Sequence, residues 1–140
     1  MDAYTAYAKV LKYAQGVGIR VVHKDDSDDG DGVYMQSRSK IVIDSENHIH
    51  IMLYALLHEL GHHLSDQFYE RRVGSELDKA YKRCYTNKKM SRLHQNLVVA
   101  CERRAWDHGE IIAKMLKIKL GKAYKRYRYE NLRTYKENNK

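Results

Sequence analysis

The 140-residue chain contains no proline, one phenylalanine, one tryptophan and two cysteines. The absence of proline selects no function by itself. The scarcity of cysteine excludes more. Cys84 and Cys101 stand seventeen residues apart and form no C-x-x-C, which argues against a disulfide framework and for a reduced, cytoplasmic chain. No apolar run is long enough to span a membrane, and the first residues carry no signal-peptide pattern. Repeats and low-complexity linkers are missing too. The length suits one domain with a core of its own.

Basic charge is abundant but confined. The net charge is +8, and residues 114–140 hold ten Lys/Arg against Glu130 and Glu137, which accounts for all of it. Residues 1–113 are neutral overall. This divides the chain into a body, 1–120, and a basic, tyrosine-rich tail, 121–140. No candidate catalytic residue lies beyond Glu102, so the tail is expected to be dispensable for chemistry. A basic run is usually a solvated face, but here it alternates with Tyr124, Tyr127, Tyr129 and Tyr135, a pattern that also suits nucleic-acid contact.

The densest chemistry is Leu56-Leu57-His58-Glu59-Leu60-Gly61-His62-His63-Leu64. It contains H-E-x-x-H, whose two histidines lie one helical turn apart on one face, so that both imidazoles reach one metal ion. Glu59 projects to a neighbouring sector, where it can accept a proton from a water activated by the metal. Shuffling a chain of this composition produces roughly 0.03 such matches. Ile49, Leu53, Leu56, Leu57, Leu60 and Leu64 fall on one apolar arc, yet Ile51, Tyr54 and Ala55 share the opposite side with His58 and His62. A segment apolar nearly all round is covered on both sides, so the histidines are expected under a second element rather than in open water.

Around this helix the chain reads as α+β. Residues 3–15 recur at helical spacing through Tyr4, Tyr7, Ala8, Leu11 and Ala14, and Gly16 and Gly18 end the helix. Ile19–His23, Val33–Gln36 and Lys40–Asp44 read as strands, the last two as a hairpin. Residues 25–32 read as an acidic turn; an EF-hand frame starting at Ser27 fails because Arg38 stands where a bidentate Glu belongs. Asp44 or Ser45 can cap the H-E-x-x-H helix, about Asn47 to Leu64. Ser75-Glu76-Leu77-Asp78 resembles a capping box opening a short helix to about Tyr85. After a polar break at 87–89, Ser91 can cap a long helix to about Leu120.

A catalytic zinc takes three protein ligands and keeps one position open. On the long helix, Val98, Ala105, Trp106, Gly109, Ile112, Ala113 and Leu116 form an apolar arc with Glu102 at its centre. A carboxylate there is costly unless paired or metal-bound. The small residues Ala105 and Gly109 admit close approach of another helix, and the H-E-x-x-H helix is the simplest partner. Glu102 is thus the leading third ligand. A salt bridge from Glu102 to an arginine such as Arg72 is the alternative, and His94 is the runner-up ligand. His63 and Asp66 are candidate supporting partners; His23, His48, His50 and His108 read as ordinary histidines. The oxyanion donor stays open, with a tyrosine as one choice.

These segments resemble the ImmA/IrrE family of zinc metallopeptidases over most of residues 4–116. The likeness is carried by the Gly16-Val17-Gly18-Ile19-Arg20-Val21-Val22 junction, Gly32-Val33-Tyr34, Ile41-Val42-Ile43-Asp44, the H-E-x-x-H segment and Glu102-Arg103-Arg104-Ala105-Trp106. It implies a minimal zincin-like fold, with a small mixed or antiparallel sheet packed on an H-E-x-x-H helix and a second ligand-bearing helix. It implies Zn²⁺ held by His58, His62 and Glu102, the last in an E-x-x-A segment, with Glu59 catalytic. It further implies a protein substrate, a helix-turn-helix repressor of a phage or mobile element. Ile41–Asp44 is expected to be the sheet edge to which substrate adds. The second reading, from another class, is a nucleic-acid-binding or regulatory protein with a structural zinc. A structural site needs no glutamate beside its first ligand and typically uses cysteines, and here Glu59 is present.

Overall fold

The computed structural model describes residues 1–25, 30–68, 74–86 and 89–137. Most of the acidic turn, Arg72, the side chain of Asp66 and most of the 87–89 break lie outside the described residues. Helix α1 spans Ala3–Gly16, with Asp2 accepting from the Thr5 amide at 2.7 Å as its N-cap. Its buried arc is Ala6, Tyr7, Val10 and Ala14, whereas Tyr4 and Ala8 face outward. Gly18 turns the chain at φ +81°, a conformation open to glycine at little cost. Ile19, buried, anchors the entry to strand β1, Arg20–Lys24.

Strand β2, Gly32–Met35, and strand β3, Lys40–Asp44, are joined through a 3₁₀ turn at Gln36–Arg38. The sheet order is β1-β3-β2, with β1 parallel and β2 antiparallel to β3. The expectation that Ile41–Asp44 forms the sheet edge is therefore wrong. Strand β3 is central, paired on both sides, and Ile41, Val42 and Ile43 are all buried. A continuous apolar run is the mark of a strand covered on both faces, and Ile41-Val42-Ile43 is such a run. Strand β2 is the edge on the opposite side from β1.

Helix α2, Ile49–Phe68, packs against α1, β2, β3 and helix α4, Arg92–Met115. It is covered on both sides, as its nearly all-round apolarity predicts. Neither expected cap serves it. Asp44 accepts from the Glu46 amide at 3.0 Å and Ser45 bonds Asp25, so both hold the preceding turn instead. Helix α3, Glu76–Tyr85, starts at Ser75, which accepts from the Asp78 amide at 3.1 Å, while Asp78 reaches back to the Gly74 amide at 3.0 Å. Helix α4 starts at Ser91 but stops five residues before Leu120. Lys117 takes the left-handed conformation at φ 61°, and the Ile118 amide returns to the Ala113 carbonyl at 2.8 Å. The turn tucks Ile118 into the core, offsetting a conformation usually left to glycine.

The basic segment is helix α5, Lys122–Glu137. Its Tyr124 and Leu132 belong to the same buried cluster as Leu56, Leu57 and Trp106. Arg128 reaches Asp107 at 2.8 Å and also pairs with Glu110, tying α5 to α4. The described residues thus make a mixed α+β structure with five helices and one three-stranded sheet. None of these helices is long and apolar enough to cross a membrane.

The closest constraint lies between α2 and α4. A Cβ at Gly61 would stand 1.8 Å from the Ala105 carbonyl oxygen, and one at Gly109 would stand 2.7 Å from the Leu57 carbonyl oxygen. Both meet backbone, which cannot swing aside. Gly61→Ala is expected to destabilise the fold by about 3 kcal/mol or more, at the upper end of overpacking costs. Chemical denaturation would measure this; an unchanged midpoint would show that α2 and α4 do not touch at Gly61.

Candidate metal centre

His58, Glu59 and His62 come from consecutive turns of α2, and their donor atoms lie within 4.8 Å of one another. This group could hold a metal ion. Glu102, from the facing side of α4, meets both histidines: Nε2 of His58 is 3.3 Å from Oε1, and Nε2 of His62 is 2.7 Å from Oε2. Tyr81 of α3 donates to Oε2 at 2.7 Å. Glu102 is only 2% exposed, and its charge is met by two imidazoles of α2 and a phenol of α3. Trp106, one turn after Glu102, stacks on the His58 ring at 4.1 Å and 26°.

Burial by itself would push the His62 pKa down, but the adjoining Glu102 carboxylate more than offsets this and holds it well above the usual histidine range. Burial likewise works to raise Glu102, yet His62 and then His58 hold it well below the usual carboxylate range. The pair thus favours a proton on His62 over one on Glu102. A cation can replace that proton on the same two side chains. The donor set of two imidazoles and a carboxylate suits zinc. His58 Nδ1 is buried with no hydrogen-bond partner among the described residues.

Two carboxylates adjoin the histidines, and their positions differ. Glu102 touches both Nε2 atoms. Glu59 is buried beneath β2, where a Cβ on Gly32 would stand 3.3 Å from its Cγ. Glu102 thus suits a ligand, whereas Glu59 lies between the histidines and the sheet edge.

The remaining histidines are engaged elsewhere. His94 meets Glu76 at 2.7 Å, His63 meets the Tyr34 hydroxyl at 3.0 Å, His23 meets Tyr7 at 2.7 Å, and His108 meets Ser65 at 2.8 Å. His48 and His50 stack on each other at the start of α2. None of them joins the donor group.

A cavity of about 820 Å³ opens over the group. Its walls include Gly30–Tyr34 along β2, Tyr81 and Tyr85 of α3, and Tyr127, Asn131 and Tyr135 of α5. Tyr127 donates to Asp31 at 2.6 Å, and Asn47 bonds the other Asp31 oxygen at 3.0 Å. Burial first, and the Glu102 carboxylate second, push the Tyr81 and Tyr135 hydroxyls well above the usual tyrosine range. Both remain protonated donors. Sequence reasoning missed Tyr81 and the α5 residues as parts of the site. The available signal was the spacing of four between Tyr127, Asn131 and Tyr135, which marks one helical face.

No family model, curated protein or solved structure matches this chain, so the geometry carries the functional reading. Glu102→Ala is expected to lose bound metal, and His94→Ala to keep it. Elemental analysis after dialysis would check both; equal retention by the two variants would remove Glu102 from the ligand set.

Proposed function

We propose that the chain is a zinc-dependent endopeptidase of zincin-like, ImmA/IrrE type. One observation carries the reading: a buried carboxylate from α4 meets both H-E-x-x-H imidazoles, while the motif glutamate, buried under β2, lines the cavity over them. His58, His62 and Glu102 would hold the ion. Zinc bound there supplies Lewis acidity, which makes a water more acidic and a carbonyl more electrophilic. Glu59 accepts the proton of the attacking water as its oxygen bonds to the peptide carbon. It then delivers that proton to the departing amine as the C–N bond breaks. Tyr81 steadies Glu102 through its 2.7 Å bond, the kind of outer contact that orients a metal ligand. The edge suited to strand addition is β2, since Gly30–Tyr34 lines the cavity and β3 is paired on both sides. The family likeness points to a protein substrate, a helix-turn-helix repressor encoded in the same locus.

Glu59→Gln keeps the side chain's shape and removes its basicity. Zinc content should stay at the wild-type level, while cleavage falls by about 10²–10⁴-fold. Co-expression with repressors from the same locus, followed by immunoblotting for fragments, gives the readout. Wild-type cleavage rates in this variant would refute the mechanism.

One observation favours nucleic-acid contact as a second reading. Lys122, Lys125, Arg126, Tyr129, Arg133 and Lys136 are all exposed on α5, so its outer side is basic and carries an accessible aromatic ring. Binding through that side should weaken steeply with salt. A mobility shift titrated from about 50 to 200 mM salt checks this, and salt-insensitive or absent binding removes it.

A further inference from the structure

The chain has 26 lysines and arginines, yet among the described residues none lines the cavity over His58, Glu59 and His62. The acidic members of its wall are Asp31, Glu59 and Glu102. Glu102 meets the histidines and Glu59 is the motif base, which leaves Asp31 without a part in the chemistry. We propose that Asp31 is a specificity-determining residue, receiving the side chain of a lysine or arginine close to the bond that is cut. The proposal rests on the peptidase reading above and gives that site a substrate class, a basic peptide segment.

Asp31 is half-buried and held from three directions. The Asp44 amide donates to its carbonyl at 3.0 Å. The Asn47 side-chain amide donates to Oδ1 at 3.0 Å, and the Tyr127 hydroxyl donates to Oδ2 at 2.6 Å. All three donors are neutral, and none of the ion pairs among the described residues includes Asp31. An asparagine could serve the same tether, accepting from Tyr127 and donating to the Asn47 oxygen once that amide is turned over. A carboxylate costs more to withdraw from water than an amide does, so its charge calls for a reason beyond tethering α5 to β2. The two oxygens offer about four acceptor sites. Tyr127 and Asn47 fill one on each oxygen, which leaves room for an ammonium or a guanidinium.

The position suits a residue that reads substrate beside the reacting groups. Asp31 directly precedes Gly32, where a Cβ would stand 3.3 Å from Glu59 Cγ. Its partner Tyr127 stands 5.7 Å from Trp106, and Trp106 stacks on His58. Asp31 itself is not part of the donor group. A divalent ion held by His58, His62 and Glu102 would balance the charges of Glu59 and Glu102. Asp31 is then the wall carboxylate left with a net charge to satisfy, and a peptide added along β2 carries its side chains past it. A carboxylate fixed in advance loses little freedom when a cation arrives, so more of the pairing energy goes into discrimination.

The test uses the full chain loaded with zinc and three mixed libraries of internally quenched peptides. The libraries are alike except for one central residue, fixed as arginine, its neutral isostere citrulline, or glutamate. Lysine and arginine are left out of the randomised positions. Wild type should cleave the arginine library about 10- to 100-fold faster than the citrulline library, the effect of one hydrogen-bonded charge, and the glutamate library slowest. Mass spectrometry of the products should place the arginine at one constant distance from the cut. Asp31→Asn should bring the arginine-to-citrulline ratio close to one, with zinc stoichiometry as in wild type. Glu46→Gln, which removes an exposed charge outside the cavity wall, should keep the wild-type ratio. Equal wild-type cleavage of the arginine and citrulline libraries overturns the proposal alone, and that measurement needs no variant to fold. So does a preference that survives in Asp31→Asn, or cuts scattered about the arginine. If zinc-loaded wild type cleaves none of the libraries, the peptidase reading fails and this proposal with it.

Discussion

Gly61 of α2 lies against the carbonyl of Ala105 on α4, so close that no side chain fits between them. Two turns of contact, Gly61 on Ala105 and Gly109 on Leu57, draw the two backbones together. The distance between Glu102 and the two imidazoles follows from that contact. Were α2 and α4 spaced by ordinary side chains, the Glu102 carboxylate would fall short of one Nε2 or both. It would then be a buried charge without a partner, and breaking such a pair typically costs about 3–5 kcal/mol. Close packing and electrostatics therefore support one another: small residues permit the approach, and the approach satisfies the charge.

The basic helix joins this arrangement through aromatic rings. Tyr124 and Tyr127 stand edge-on to Trp106 at 5.8 and 5.7 Å, and Trp106 stacks on His58. Rings from the last helix thus back the plate that positions a donor of the candidate metal group. At the other end, Tyr127 clasps Asp31 beside β2. Helix α5 is amphipathic in an uneven way: its inner face is built of tyrosine, leucine and asparagine, and its outer face of lysine and arginine. Net charge reports only the outer face.

The sheet performs a smaller task. Its central strand β3 is buried, and β1 adds to the packing of α1, which lies mainly on α2. Strand β2 lies over Glu59 and opens onto the cavity. A glycine at position 32 keeps β2 close to Glu59, because any side chain there would press on Ile43, Glu59 and Ala55. The motif glutamate is thereby buried and at the same time lines the cavity.

Local periodicity made much of this legible. A spacing of four put His58 and His62 on one face, an apolar arc isolated Glu102, the small residues Ala105 and Gly109 pointed to a close helix partner, and Ser75 and Ser91 marked two helix starts. Each of these signals acts within a few residues, through helix geometry or a capping bond, so it can be read without knowing the fold. Strand order, the packing of α5 and the identity of the cavity tyrosines were not legible in this way. They depend on which surfaces meet. Strand β3 is central because β1 and β2 arrive from opposite sides, and residues 121–140 read as a tail because charge hides the inward face of α5. Tyr81 and Tyr135 reach Glu102 only because α3 and α5 converge on α4 from distant parts of the chain, a matter of tertiary packing that no local pattern encodes.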